Sequence, residues 1–218
     1  MFQRALTVIV MSALALLPVG CGASTMSSRI GDASLSLAEV NTLPQDKKPT
    51  KQQMKDAKGV AIMNIAQGGV GIGGEGGGGV VLKRVGGGWG APFAFDSAAG
   101  TIGAQLGGQS KDVLVVFNTD DAIKQFVAGG MHLQAVAEGT GGSDSGNTKS
   151  KKPEYEYFIK GSGLFGGAEL GGLNFSPANK VNAATYGPVP TSQDILDGKV
   201  TKPDGTSSLT AALDAMMR

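Results

Sequence analysis

Val60-Ala61-Ile62-Met63-Asn64-Ile65 opens the stretch that decides the fold; Gly68 to Gly79 follows, dense in glycine, and Val80-Val81-Leu82-Lys83-Arg84-Val85 closes it. The two outer runs are short, apolar and β-branched, which is the pattern of buried strands. Gly86-Gly87-Gly88 ends the second run. Glycine inside a strand pattern marks tight bends, bulges or close backbone approach. Thr101 to Gly107, Val113 to Phe117, His132 to Ala137, Tyr155 to Lys160 and Leu164 to Phe175 repeat the texture further on. The expected fold class is therefore α+β. A curved, mostly antiparallel, glycine-rich β-sheet or partial barrel is flanked by short helices at both ends of the chain.

The helices are read from periodicity and caps. Ala33, Leu37 and Val40 fall at i, i+4 and i+7, which predicts a weakly amphipathic helix over 33–42. Thr50 with Gln53 forms a capping box and Gly59 supplies a stop, which predicts a helix over 51–58. Asn118-Thr119-Asp120 starts another, with Ala122, Ile123, Phe126 and Val127 as its apolar face and Gly129-Gly130 as its end. Asp194-Ile195-Leu196 and Leu209 to Met217 read as closing helices, and Gly139 to Lys152 as a polar, mobile loop.

Composition narrows the function classes. The chain has 218 residues, 41% hydrophobic and 17% charged, which suits one domain with a sizeable core. Nineteen basic against eighteen acidic side chains leave no basic excess for nucleic-acid binding over the whole surface. One cysteine makes no internal disulfide, and one histidine, His132, removes most His-based catalytic and metal sites. Glycine, at 36 residues, is more than twice its usual share of roughly 7%.

The N-terminus reads as an address. Arg4 precedes an apolar run from Ala5 to Val19 that ends at Gly20 and Cys21. This is the plan of a secretory signal peptide over 1–20, too short for a comfortable membrane-spanning helix. Leu17-Pro18-Val19-Gly20-Cys21 resembles a bacterial lipobox, with Pro18 where that pattern prefers leucine. The resemblance implies a diacylated Cys21, hence a covalent lipid anchor, and ordinary signal cleavage would instead leave a free thiol. Residues 21–34 then read as the lipidated cysteine and a flexible tether, and 35–218 as the folded domain. The expected location is the bacterial cell envelope, lipid-anchored to a membrane, which is the outer membrane in a Gram-negative source.

Four stretches carry a family resemblance. They are Ala57 to Ile62, Gly71 to Gly77, Ala99 to Ser110 (Ala-Gly-Thr-Ile-Gly-Ala-Gln-Leu-Gly-Gly-Gln-Ser) and Gly163 to Leu170. Asn118 to Ala122, Tyr186-Gly187 and Asp194 to Leu196 add to it. In order and spacing they resemble the SYLF domain, also called the Ysc84-type actin- and lipid-binding domain, over roughly 35–200. Asn64 and Gln67 depart from it, standing where relatives are more apolar. The resemblance implies binding of acidic phospholipids or phosphoinositides, with actin filaments as a partner of some fungal relatives. It carries over no catalytic residue and no cofactor.

Charge supplies the candidate site. Lys47, Lys48, Lys51, Lys55 and Lys58 lie within twelve residues, against Asp46 and Asp56. On a helix running to residue 58, Lys51, Lys55 and Lys58 share one face. Their mutual repulsion would be offset by an anionic surface, at roughly 1 kcal/mol per lysine. The bland alternative is a solvated face that keeps the protein in solution. Lys83, Arg84 and Trp89 form a second candidate, because tryptophan favours membrane interfaces. Lys149, Lys151 and Lys152 read as a solvated loop tip. Gly69-Val70-Gly71-Ile72-Gly73-Gly74 fits GxGxxG, but a strand follows where a dinucleotide site needs a helix. Glu75, inside the glycine stretch, is expected to help hold its turns. The expected function is a membrane-anchored envelope lipoprotein whose domain binds acidic phospholipid through a basic helix, without catalysis or metal. The alternative is a structural or scaffolding lipoprotein that binds a protein partner.

Overall fold

The computed structural model describes residues 24–130, 132–133, 139–142, 153–167 and 173–218. The signal segment, Cys21, the 149–152 lysines and residues 134–137 lie outside these. In chain order the elements are α1 (Met26–Asn41), α2 (Lys51–Asp56), β1 (Gly59–Val85), β2 (Gly88–Trp89), β3 (Phe93–Phe117) and α3 (Asp120–Val127). There follow β4 (His132–Leu133), β5 (Gly139–Gly142), β6 (Tyr155–Gly167), β7 (Leu173–Pro177), α4 (Asn179–Tyr186), α5 (Ser192–Leu196) and α6 (Thr206–Ala215).

The glycine stretch does not separate two strands. It is the middle of one. β1 runs unbroken for 27 residues and pairs antiparallel with β3 from Gly59↔Phe117 to Val81↔Phe93, with a single register irregularity between Val70 and Ile72. A strand that long would span about 90 Å if flat, so the ribbon must bend. It folds until its own halves touch. A β-carbon on Gly77 would sit well under 3.0 Å from the Asn64 carbonyl oxygen, and one on Gly79 equally close to that of Ile62. Only glycine permits backbone-to-backbone approach of this kind. At the same fold Arg84 N donates to Lys58 O at 2.8 Å, bringing the two ends of β1 together.

Both halves of the ribbon gain further strands. The first part of β3 pairs with β7 over Phe95–Ala98, and the later part pairs with β6 from Gln105 to Phe117. The result is one seven-stranded, antiparallel, curved sheet with the order β2-β1-β3-β6-β5, with β7 and β4 attached beside β3. It is not closed into a barrel. Gly86 and Gly87, with φ of 58° and 83°, form the two-residue turn into β2, as hairpins with positive φ require. Gly139 to Gly142, expected to be loop, pairs with β6 instead.

Period-two alternation gives the sheet two apolar faces. Ala61, Met63 and Ile65 enter one core with Val113, Val115, Phe117 and the α3 residues Ile123 and Phe126. Phe126 is its hub: Phe95, Phe117 and Phe175 lie 4.8, 5.3 and 4.5 Å away, so one ring ties both halves of the sheet. Val60, Ile62, Leu114 and Val116 face the other way, toward α1, Met54 of α2, and α6.

The helix expected over 33–42 begins at Met26, capped by Thr25 and Ser28. Met26, Ile30 and Ala33 are buried with Leu37 and Val40. Residues 26–34, read as tether from their small polar side chains, are therefore part of the domain. The stripe Met26–Ile30–Ala33–Leu37–Val40 is a regular i, i+4, i+7 pattern that the intervening serines and glycine conceal.

Candidate functional site: the basic approach to the sheet

α2 forms where its capping box predicts. Gln53 N donates to Thr50 Oγ1 at 3.2 Å, and Thr50 N donates to Gln53 Oε1 at 2.7 Å. The helix stops at Asp56, because Ala57 takes an extended ψ of 130° to enter β1. Lys51 and Lys55 thus share a helical face, and Lys58 lies beyond the helix, on the lead into β1. The three-lysine helix stripe expected from spacing is two lysines plus a neighbour. Met54 is fully buried beneath α2. Gln53 Nε2 donates to Glu156 Oε1 at 2.7 Å, which pins α2 to β6. The lysines are carried on a fixed platform.

Lys47, Lys51, Lys55 and Lys58 are exposed and Lys48 is half-buried. Among the described residues none of the five pairs with an Asp or Glu side chain; Lys51 Nζ donates to the backbone oxygen of Arg218, the last residue. Lys202 likewise donates to a backbone oxygen, that of Trp89, whereas four other lysines differ. Lys83, Lys111, Lys124 and Lys199 each hold a carboxylate.

The second expected cluster sits differently. Trp89 is 3% exposed, and its Nε1 donates to Asp214 Oδ1 at 3.0 Å. The Arg84 guanidinium stacks 3.8 Å from the centre of the indole, and its Nη2 donates to Met54 O. Burial works against the charge of Arg84, and nearby Asp214 supports it. Lys83 Nζ lies 2.7 Å from Asp197 and 3.4 Å from Asp120. The hydrogen bond to Asp197 raises the Lys83 pKa above the usual lysine value, against the pull of burial. These three side chains fasten the end of β1 and β2 to the C-cap of α5 and to α6. An indole sealed in this way presents no face to a bilayer.

Glu75 does hold the glycine fold, through an unexpected partner. Its Oε2 lies 3.0 Å from Lys111 Nζ, with both side chains almost wholly buried. The GxGxxG stretch lies inside β1 with strand on both sides, so no helix N-terminus meets it. His132 pairs through its backbone with Asn174. Among the described residues, no group of three His, Cys, Asp or Glu side chains could hold a metal ion, and no helix is long and apolar enough to cross a membrane.

Sequence reading missed one feature. A cavity of about 580 Å³ opens between α1 and the fold of β1. Asp112, 8% exposed, lies at its floor. Ser36 Oγ and Asn64 Nδ2 each donate to Asp112 Oδ1 at 2.7 Å, and Asn64 Nδ2 also donates to Ser110 Oγ at 2.8 Å. Asn64, whose departure from the family pattern was visible, was the available signal.

The described residues thus form a folded-over antiparallel ribbon with a patch of lysines that no described Asp or Glu side chain holds. The family described as "Ysc84: Las17-binding protein actin regulator" matches residues 98–216. The chain belongs to this family. It is 28% identical over 203 residues to the SH3 domain-containing YSC84-like protein 1 of Bos taurus, covering 88% of this chain and 60% of that protein. It is 27% identical to the Homo sapiens protein of the same name, covering 88% of this chain and 59% of the relative. The LAS seventeen-binding protein 3 of Saccharomyces cerevisiae is 28% identical over 171 residues, 74% of this chain and 37% of the yeast protein. The chain thus spans about 60% or less of the length of these relatives. No solved structure matches it.

Proposed function

We propose that this protein is an exported lipoprotein of the cell envelope that docks on acidic phospholipid through Lys47, Lys48, Lys51, Lys55 and Lys58, with Cys21 carrying the covalent anchor. The observation that supports docking is that, among the described residues, no Asp or Glu side chain pairs with these five cations, which ride on a platform fixed by Met54 and Gln53. Phosphoinositide headgroups, with clustered phosphates, suit the same surface. The layout also fits an anchored domain. Cys21 precedes α1 and the lysines follow it, and 16 helical residues span about 24 Å. A bilayer that meets both would lie along α1.

Each lysine near an anionic surface contributes roughly 1 kcal/mol. Reversing Lys51, Lys55 and Lys58 to glutamate therefore weakens co-sedimentation with phosphatidylglycerol vesicles by at least about a hundredfold. Binding by the wild type disappears near 1 M salt, where the screening length is about 3 Å. Equal sedimentation of the reversed variant would remove these lysines from the account.

A second reading is a scaffolding role toward a protein partner. It is favoured by the name of the yeast relative, a Las seventeen-binding protein. Binding to protein-free vesicles separates the two.

A further inference from the structure

Where α1 meets the sheet, most of the contact is apolar. Ile30, Leu37 and Val40 close over Val60, Ile62 and Leu114. Toward the fold of β1 the same face turns polar. Asn64 follows Val60 and Ile62 at the next inward position, and its ladder partner Asp112 precedes Leu114 and Val116 on β3. A valine or leucine at either position would seal the interface. Instead a carboxylate is held there, nearly out of water, by two neutral donors, and a cavity stays open above it. Burying a carboxylate is costly, and Lys160 of β6 stands opposite Asp112 in the ladder, so an open cavity beside that charge calls for a purpose other than packing.

The lining defines what would fit. Asp112 is at the floor, and Asp32 of α1 is at the wall. Asp32 is exposed and makes no ion pair among the described residues. Gly76, Gly77 and Gly78, paired with β3, line it as well and add no side chain that would fill it. The lining cation, Arg29, is already bound to Asp96 and to Phe95 O. The cavity therefore offers acceptors and an excess of negative charge. Among the described residues its lining holds no aromatic ring, and so no cage of the kind that recognises quaternary ammonium ions. A primary ammonium, with three N–H donors, matches it. At the rim Leu35 stands 69% exposed, beside the path an apolar stem would take.

We propose that this cavity binds a primary ammonium group, either on a free small amine or on the ethanolamine headgroup of a phospholipid. It is separate from the lysine surface, which attracts the opposite charge, and either site can fail without the other.

The test uses the full purified chain and ethanolamine as probe, followed by NMR of backbone amides and the Asn64 side-chain amide. Ethanolamine gives saturable shifts at Gly76, Gly77, Gly78 and Asn64. Choline, with no N–H to donate, gives none. Asp32→Asn, at an exposed position that leaves the fold intact, weakens ethanolamine binding about tenfold. Asp112→Asn abolishes it, with unchanged circular dichroism as the control. Vesicles with fixed phosphatidylglycerol and either phosphatidylethanolamine or phosphatidylcholine then identify the source. A preference for the ethanolamine vesicles that Asp32→Asn removes assigns the lipid headgroup, and equal binding to both assigns a free amine. Absence of saturable shifts, or the same shifts with choline or in Asp32→Asn, overturns the proposal.

Discussion

The sharpest prediction concerns Gly79. Replacing it with alanine puts a methyl group into the Ile62 carbonyl, well under the 3.0 Å that real Cβ atoms respect. Neither party is a flexible side-chain end. Both are backbone, locked in the ladder with β3 at Gly79↔Phe95 and Ile62↔Leu114. Relief requires the two halves of β1 to part by about an ångström, which loosens Ile62 and Val80 in the core between them. Overpacking of this type costs about 1–3 kcal/mol and sometimes more, and the rigid partners place Gly79→Ala at the upper end, about 3 kcal/mol. For a chain of this size that is a fall in Tm of about 6–12 °C. Two controls set the scale. Gly86→Ala meets no atom within 4 Å but sits at φ 58°, and loses about 1 kcal/mol. Gly100→Ala has open space and no positive φ, and is neutral or gains up to about 1 kcal/mol. Thermal and urea unfolding of the three variants should rank them in that order. A Gly79→Ala protein as stable as the Gly100→Ala protein would refute the folded-back ribbon.

Other consequences follow from the same contacts. Lys111→Met leaves the Glu75 carboxylate buried beside an apolar chain and costs about 3–5 kcal/mol in urea unfolding, whereas the double Lys111→Met/Glu75→Leu variant recovers most of it; a double variant worse than the single would contradict the pairing. Asp194 is pulled down to about 2 by hydrogen bonds from Lys199 and Thr191. Its folded pKa lies below the unfolded value, so its contribution is present above about pH 4 and is lost as pH falls through about 2. The stability gap between wild type and Asp194→Asn should therefore narrow between pH 4 and pH 2, and a constant gap would count against the Lys199 and Thr191 hydrogen bonds as the source. Trp89 is the sole tryptophan, and its emission maximum should stay fixed when anionic vesicles bind; a blue shift with binding would mean that the indole enters the bilayer.

Much of the local structure was written in short-range pattern. Thr50 with Gln53 announces α2, and Ala122, Ile123, Phe126 and Val127 announce α3, because capping and amphipathic periodicity act within a few residues. The same range explains the errors. Serines and glycine between Met26 and Ala33 hide an apolar stripe that packing against the sheet alone makes worth forming. Twelve glycine-rich positions look like a break, because backbone pairing with β3 leaves no mark on side chains. The lysine cluster was visible as charge density. Which side chains are tied up was not, since Lys83 finds Asp197 at a separation of 114 residues and Trp89 finds Asp214 at 125.

The sequence by itself determined the strand and helix types, the glycine-bent sheet and the density of lysines at 47–58, since all of these follow from neighbours along the chain. The tertiary structure alone decided that β1 folds onto itself, that Lys83, Arg84 and Trp89 serve packing, and that Asn64, Asp112 and Ser36 meet over one cavity. These outcomes depend on groups brought together through space, where burial and Coulomb attraction act without regard to sequence distance.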